Sequence, residues 1–187
     1  MVITSLSSGF SSADLQRGID ALNDEDYVRA AMEFTIDAKK GNSQAQVNLG
    51  LLYENGLGVE HSPDAAFSWY EAAAQKGSVL GQINLAALYY EGAGTDQSYK
   101  SAAHWYLQAA KRGNSTAQYN LSVMFENRQG LELDLVQAWA WRELAARNDT
   151  SISGIERKTL LEKLTRNEVL TARSLLDHYL IRYTNVD

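Results

Sequence analysis

The sequence has no cysteine, a single proline and no apolar run long enough to cross a membrane. Without cysteine there is no disulfide framework, no thiolate nucleophile and no cysteine-ligated zinc site. The first ten residues contain no basic residue ahead of an apolar stretch, as a signal peptide would. We therefore expect a cytoplasmic protein without a membrane span, and leave the periplasm open for a chain that has lost a leader.

Lysine and arginine are outnumbered by acidic residues, and the excess of acid lies in the first part of the chain. The 17 Lys and Arg residues stand against 23 Asp and Glu residues, for a formal net charge of −6 at pH 7. Residues 1–146 hold ten basic and seventeen acidic residues, whereas residues 147–187 hold seven and six. An acidic surface repels phosphate groups, so we predict no nucleic acid and no membrane partner, and favour a protein or peptide partner with a basic or neutral surface.

Only three histidines occur, and no catalytic or metal-binding motif accompanies them. His61, His104 and His178 lie far apart in the sequence without the spacing of metal ligands, so surface or packing positions are predicted for them. The glycine loops that bind phosphate and the nucleophile motif of hydrolases are also missing. The acidic run at residues 24–26 lacks the spacing of a calcium loop and is interpreted as a solvated turn. The sequence predicts no enzyme, no cofactor and no metal site.

The chain does contain an internal repeat of 36 residues. Four columns show the period most clearly: Gly41, Gly77 and Gly113; Asn48, Asn84 and Asn120; Trp69, Trp105 and Trp141; and Ala30, Ala66, Ala102 and Ala138. A period of this length is the signature of a solenoid, in which each unit buries its apolar face against the next. With 187 residues, 45% of them hydrophobic, the chain is long enough to bury a substantial core.

The apolar spacing within each unit predicts two helices. Residues 43–55 carry apolar side chains every three or four positions, and the spacing recurs at 79–91 and 115–127. The second helix starts after Ser62, a good N-cap, with Pro63 in its first turn. Copies of this second helix are predicted at about residues 98–112 and 134–147. Glycine-containing segments between the helices fit tight connections.

These residues resemble the Sel1-like repeat, a relative of the tetratricopeptide repeat, over residues 27–147. The sequence contains that family's A-x-x-x-L-G-x-x-Y-x-x-G-x-G pattern and its W-Y-x-x-A-A-x-x-G ending. It departs from the pattern at Gly81, Ala86, Ser122 and Arg128, the last of which replaces a loop glycine. The resemblance implies an all-α fold: a right-handed α-solenoid of Sel1-like or tetratricopeptide-like helix pairs with capping helices at both ends.

The segments outside the repeats are predicted to cap the solenoid. Residues 1–26 are assigned to an N-terminal segment and capping helix, and residues 148–187 to C-terminal capping helices. Residues 153–156 and 165–168 both match the capping box that opens a helix. The apolar stripe over residues 169–183 is interpreted as a seal on the last repeat. A homodimer through the C-terminal helices, or a docked partner, is the alternative.

Tryptophan recurs with the repeat and is predicted to pack in the core. Trp69, Trp105 and Trp141 lie beside columns of alanine, whose small side chains leave room for large rings. Trp139 has no tryptophan counterpart in the other units. A contact with the cap and a partner-facing position are both open for it.

The resemblance also implies a binding surface on the concave face of the solenoid. The asparagines at 48, 84 and 120 match a column that faces the groove in tetratricopeptide proteins and holds the backbone of an extended peptide. A carboxamide supplies both a hydrogen-bond donor and an acceptor, which suits a peptide group. The alternative, given equal weight, is that these asparagines bond only to a neighbouring helix.

Further residues around the asparagines complete the predicted groove. They are Val47, Ile83 and Tyr119; Leu51 and Val123, with Ala87 between them; and Glu54, Tyr90 and Glu126. This groove is apolar in the middle and acidic along one edge, without Lys or Arg at the inner positions. We expect a partner segment that is apolar and flanked by Lys or Arg.

The predicted function is that of a non-catalytic adaptor or scaffold, of bacterial type, that binds a protein or peptide in the concave groove. The inference combines the family resemblance with the lack of a catalytic motif. The alternative is a bacterial immunity or inhibitor protein that neutralises a toxic effector enzyme. Affinity separates the two, because an inhibitor needs nanomolar binding to one enzyme, whereas an adaptor can function in the micromolar range.

Overall fold

A computed structural model of the chain describes residues 12–183, with side chains from residue 15 onward. These residues contain ten helices and no β-strand. The helices are α1 (Ser12–Asn23), α2 (Tyr27–Lys40), α3 (Ser43–Asn55), α4 (Pro63–Gln75), α5 (Val79–Glu91), α6 (Tyr99–Ala110), α7 (Ser115–Glu126), α8 (Leu135–Asn148), α9 (Gly154–Glu162) and α10 (Arg166–Tyr183). The first eleven residues, part of the predicted N-terminal segment, lie outside the described residues.

The helices begin where the sequence offers a capping side chain. Each of the repeat helices α3 to α8 has an N-cap residue whose side-chain oxygen accepts a hydrogen bond from a backbone N–H of the first turn. These residues are Asn42, Ser62, Ser78, Ser98, Asn114 and Asp134. Because such caps recur with the 36-residue period, the helix boundaries recur with it.

Consecutive helices pack into a stack of antiparallel pairs. From α1 to α8, each helix packs against the helices before and after it, and α3 also contacts α5 directly. Alternate helices that touch in this way lie on the inner side of a curved stack. The arrangement confirms the predicted α-solenoid, and we call α3, with its counterparts α5 and α7 in the later repeats, the inner helices and α2, α4, α6 and α8 the outer helices.

Within a pair, a small residue on the first helix makes room for a large one on the second helix. A Cβ atom added to Gly50 would lie 2.5 Å from the Tyr70 ring, and one added to Gly18 would lie 2.4 Å from the Phe34 ring. In the third repeat, formed by α7 and α8, the corresponding residues are Ser122 and Arg142. Here the Arg142 Nε donates a 3.0 Å hydrogen bond to the Ser122 Oγ. The departure from the family pattern at Ser122 therefore matches the side chain opposite.

Successive repeats are joined by buried glutamines. The Gln46 side chain donates to the carbonyl of Ala38 at 3.1 Å, and the Gln118 side chain donates to the carbonyl of Ala110 at 3.0 Å. Each of these carbonyls lies in the last turn of the preceding outer helix and also accepts a backbone N–H hydrogen bond, from Gly41 and Gly113 respectively. The glutamine thus connects an inner helix to the outer helix of the repeat before it.

The C-terminal helices pack on the last outer helix. Trp141 of α8 stacks on Tyr179 and Tyr183 of α10, with ring centroids 4.3 and 5.6 Å apart. Leu160 of α9 and Leu176 of α10 are buried in the same cluster. Much of the predicted apolar stripe is thereby used within the chain, which leaves less of it for a homodimer contact.

The capping boxes differ in detail from the prediction. In the second, the backbone N–H of Thr165 donates to the Glu168 carboxylate at 2.8 Å, as predicted. In the first, the Ser153 hydroxyl accepts from the N–H of Ile155, whereas Glu156 accepts a 3.3 Å hydrogen bond from Tyr119 of α7. Glu156 therefore connects α9 to the inner face.

Replacing Tyr179 with phenylalanine tests the docking of α10. The Tyr179 hydroxyl donates a short hydrogen bond to Gln137 of α8, and burial raises the pKa of this phenol to about 12. We expect the Tyr179→Phe variant to lose about 1 kcal/mol of unfolding free energy in urea denaturation. Tyr183→Phe, which keeps a stacked ring beside Trp141, is the matched control. An equal loss in both variants would contradict the importance of the Tyr179 bond.

Candidate functional site

The predicted asparagine column lies on the inner helices, and two of its members contact the outer helix of the preceding repeat. The Asn84 side chain interacts with the Tyr70 hydroxyl, and the Asn120 side chain with the Tyr106 hydroxyl. This is the contact with a neighbouring helix that the sequence left open. A carboxamide has further donor and acceptor positions, so binding of a peptide backbone by these residues stays a prediction.

The tyrosines under the asparagines are buried, un-ionised groups. Burial raises the pKa of Tyr70, and its 2.5 Å hydrogen bond to the Glu54 carboxylate raises it further, while Asn84 acts in the opposite direction. Burial raises the pKa of Tyr106 to about 12, again against the effect of Asn120. Both phenols therefore act as neutral hydrogen-bond groups at the base of the inner face.

Asn48 differs from the other two asparagines. The outer-helix residue corresponding to Tyr70 in the preceding pair is Phe34, which has no hydroxyl. Asn48 instead accepts a 3.3 Å hydrogen bond from Gln44, one turn earlier on α3. The three asparagines are thus not equivalent in their contacts.

The apolar residues predicted for the groove are exposed to different degrees. Val47 is only 1% exposed and packs in the core with Tyr70 and Leu85, so its placement on the groove surface is corrected. Leu51 is exposed, whereas Ile83 and Val123 are partly buried. The free apolar surface of the inner face therefore begins at Leu51 and continues at Ile83 and Val123.

A cavity of about 360 Å³ opens between α5 and α7. It is lined by Ala87, Tyr90, Glu91, Tyr106, Asn120 and Val123. The Tyr90 ring packs edge-on against Tyr99 at 5.0 Å between centroids, and its hydroxyl accepts a 2.7 Å hydrogen bond from Gln129. Fixed aromatic rings next to a carboxamide form a site that offers both apolar contact and hydrogen bonds.

A second cavity of about 350 Å³ continues the first toward α9. Its lining consists of Tyr119, Val123, Glu126, Asn127, Arg142, Ile155, Glu156, Thr159 and Leu160. Val123 lines both cavities. The exposed Ile155 of α9 forms part of the wall. The inner surface thus runs from α5 across α7 to α9.

Arg142 is a residue of this surface that sequence reasoning missed. It occupies the position of Tyr70 and Tyr106 in the third repeat and is only 5% exposed. Its guanidinium donates to Glu126 at 2.8 Å and lies 5.5 Å from the centre of the Tyr119 ring. The Phe, Tyr, Tyr, Arg succession at positions 34, 70, 106 and 142 was the signal that could have identified it.

The acidic edge predicted for the groove is weaker than its composition implied. Glu126 accepts hydrogen bonds from Arg142 and, at 2.7 Å, from Lys163. Burial opposes ionisation of Glu126, but the hydrogen bonds from these two cations outweigh it and hold the pKa of the carboxyl below its usual value. Basic groups therefore do reach the inner face, contrary to the expectation from the inner helices alone. Glu91 and Glu156 are exposed acids on the cavity walls.

The burial of Trp139 decides between the two positions that the sequence left open for it. Trp139 is 7% exposed and lies in the core cluster to which α5 to α10 all contribute, so the partner-facing position is wrong for it. Across the described residues, no group of three or more His, Asp or Glu side chains is arranged to hold a metal ion. No helix of that same part of the chain is long and apolar enough to cross a membrane.

Comparison with known proteins points to one family. The Sel1 repeat model matches three times, at residues 43–78, 79–114 and 115–149. The structure is similar to that of a protective antigen present in uropathogenic Escherichia coli strains, which displays an SLR fold. The TM-score is 0.77 at 36% identity, over 83% of this chain and 33% of that chain. It is also similar to a Sel1 repeat protein from Oxalobacter formigenes, with a TM-score of 0.70 at 28% identity, over 74% of this chain and 57% of that chain.

These similarities concern only part of the compared proteins. The chain spans about a third of the length of the Escherichia coli antigen and somewhat more than half of the Oxalobacter protein. A comparison with curated proteins finds no match. Both relatives are bacterial, which suggests a bacterial origin. Sel1 repeat proteins generally mediate protein–protein interactions and are generally non-catalytic. With three matched repeats over more than half of its length, this chain belongs to the Sel1 repeat family.

Proposed function

We propose that this chain is a non-catalytic adaptor that holds an extended segment of a protein partner on its inner face. The observation that supports the proposal is the pair of adjoining cavities that share Val123 and extend over α5, α7 and α9. Extended concave surfaces are what solenoid proteins use to bind.

The lining of these cavities suits a peptide more than a small polar ligand. Tyr90 and Tyr119 present rings whose hydroxyls are held by Gln129 and Glu156, so the rings lose little freedom on binding. Ile155 adds exposed apolar surface on α9. Apolar side chains of a partner fit between these groups.

The charges on the cavity walls indicate which charges on the partner segment would be favourable. Glu91 and Glu156 are exposed acids at the two cavities, whereas Glu126 is neutralised by Arg142 and Lys163. A segment with Lys or Arg on either side of an apolar stretch matches Glu91 and Glu156. The neutralised centre suits an apolar part of the segment, near Val123.

A site-specific photo-crosslinker at position 123 tests the proposal in extracts of the native host. The matched control position is Ser68, an exposed residue on the outer helix α4. We expect one protein to be crosslinked from position 123 and not from position 68. Crosslinks that arise only from position 68 would place binding on the outer face and refute the proposal.

The purified partner then permits a measurement of affinity. We expect Val123→Glu to weaken binding at least about tenfold, because a carboxylate replaces the apolar surface common to both cavities. Ser68→Glu adds the same charge on the outer face and should leave the dissociation constant unchanged. Isothermal titration calorimetry measures both variants, after circular dichroism has shown that each is folded. Binding of the Val123→Glu variant at wild-type strength would contradict the proposed site.

A further inference from the structure

The outward face of α2 presents an apolar stripe to solvent. Val28, Met32 and Ile36 recur every four residues and are 60%, 65% and 48% exposed. They border a shallow depression whose other wall includes Val59 of the following loop. Three large apolar side chains in a row, exposed on one helix, are typical of a surface that binds another protein.

The other outer helices show that this stripe is exceptional. At the same positions α4 has Asp64, Ser68 and Ala72, and α6 has Lys100, His104 and Gln108. Only α8 is apolar there, with Val136, Ala140 and Leu144. Ala140 and Leu144 are fully buried in the cluster to which α10 contributes Ala172, Leu176 and Tyr179. In α8 a further helix covers this apolar outer position, and a helix packed on α2 would cover its stripe in the same way.

The charges at the ends of α2 indicate which helix that is. Asp24 and Glu25 precede the helix, and Lys39 and Lys40 end it. If two copies of α2 pack antiparallel with Met32 at the centre, Ile36 of each lies opposite Val28 of the other. In the same register Lys39, in the last turn of α2, lies near Glu25, in the turn that precedes the helix of the other copy. The helix is therefore complementary to itself in both its apolar stripe and its charges.

We propose that the chain forms a symmetric homodimer in which α2 packs antiparallel against α2 of a second copy. The contact is isologous, so each copy contributes the same stripe. It lies on the outer surface and leaves the cavities of the inner face accessible. The proposal is therefore independent of the proposed adaptor function.

Charge reversal at the two ends tests the antiparallel arrangement. In a Lys39→Glu dimer the new glutamate faces Glu25, and in a Glu25→Lys dimer the new lysine faces Lys39, so each variant alone should dissociate more readily. Mixed one to one, they regain two favourable pairs. We expect sedimentation velocity to show a dimer for the wild type, mostly monomer for each variant and a dimer for the mixture. Failure of the mixture to recover would overturn the proposed arrangement.

Met32→Glu tests the apolar contact. Two carboxylates would meet at the centre of the interface, and we expect the dimer dissociation constant to rise at least about tenfold. The melting temperature of the monomer should not fall, because Met32 is exposed in the single chain. Ser68→Glu, on the neighbouring outer helix, is the control and should dimerise as the wild type does. A wild-type chain that stays monomeric up to about 100 µM, or a Met32→Glu variant that dimerises normally, would overturn the proposal.

Discussion

Replacing Gly94 with alanine is expected to destabilise the protein by about 3 kcal/mol. Gly94 lies in the loop between α5 and α6 with φ of +67°, a left-handed conformation that disfavours side chains. An added Cβ would also lie 2.2 Å from the Pro63 carbonyl oxygen, at the start of the preceding outer helix. Because that neighbour is backbone at a helix end, it cannot rotate away, and the two repeats would have to separate. Urea denaturation of the variant measures the loss.

Gly92 supplies a control within the same loop. Its φ of +77° is equally left-handed, but an added Cβ would lie 3.1 Å from the Gln97 Cβ and 3.2 Å from the Gln97 backbone nitrogen, tight contacts that a small shift relieves. We therefore expect Gly92→Ala to cost mainly the conformational strain, about 1 kcal/mol. Equal losses of unfolding free energy for Gly92→Ala and Gly94→Ala would show that the close approach between repeats is not the reason that position 94 requires glycine.

The same close approach occurs in every repeat, which explains why the period is so regular. Gly58 and Gly130 would place a Cβ 2.2 and 2.3 Å from the backbone of Tyr27 and Tyr99, at the starts of the preceding outer helices. The third loop keeps this contact although Arg128 replaces a glycine, because Arg128 itself adopts a φ of +57°. The sequence showed that Arg128 replaces a loop glycine, and in the structure α7 also ends one residue earlier than α3 and α5, at Glu126.

The fold was accessible from the sequence because its determinants are local. Caps at Asn42 and Ser78 and left-handed glycines at Gly56 and Gly92 bound α3 and α5, whose observed limits are the predicted ones. Both signals depend on backbone geometry within a few residues. The repeat then strengthens the prediction, since each unit supports the same helix limits as the others.

The site was less accessible because it depends on which side chains meet across the stack. Asn84 and Asn120 share a column with Asn48, yet only those two have a tyrosine beneath them. Val47 shares a column with Tyr119, yet Val47 is buried, whereas Tyr119 reaches Glu156 of α9. Periodicity assigns a residue to a face, but its partner comes from another repeat or from the C-terminal helices. Contacts at the ends of a solenoid are therefore the hardest to predict.

Glu126, whose partners Arg142 and Lys163 come from α8 and the C-terminal segment, shows most clearly how contacts across the stack decide a residue's role. Replacing it with glutamine is expected to lower the unfolding free energy by about 3 kcal/mol. The substitution leaves the buried Arg142 guanidinium without its anionic partner, and Lys163 without its own. Glu54→Gln is the matched control, because the carboxylate at that position of the first repeat accepts a hydrogen bond from the neutral Tyr70 hydroxyl and not from a cation such as Arg142. We expect that control to lose about 1 kcal/mol in urea denaturation.

The pH dependence of the unfolding free energy, compared between wild type and Glu126→Gln, distinguishes an effect of charge from an effect of packing. Because Arg142 and Lys163 hold the pKa of Glu126 below its ordinary value of 4.5, the ionised carboxylate stabilises the folded state above that pH. As pH falls through the lowered folded-state pKa, Glu126 becomes protonated and its contribution is lost. The difference in unfolding free energy between wild type and Glu126→Gln should therefore be full at neutral pH and narrow below about pH 4. A difference that is independent of pH would identify a packing effect.

Placing the second repeat's residues at the same two positions of the third repeat should remove most of the dependence of the unfolding free energy on Glu126. The second repeat has Ala86 and Tyr106 where the third has Ser122 and Arg142, so Ser122→Ala with Arg142→Tyr installs a pair that the solenoid already accommodates. In that background Glu126→Gln leaves no buried guanidinium unpaired. We expect its cost to fall from about 3 to about 1 kcal/mol, a coupling of about 2 kcal/mol in the mutant cycle. If the cost stays the same in both backgrounds, then Arg142 is not the reason that the third repeat requires a carboxylate at position 126.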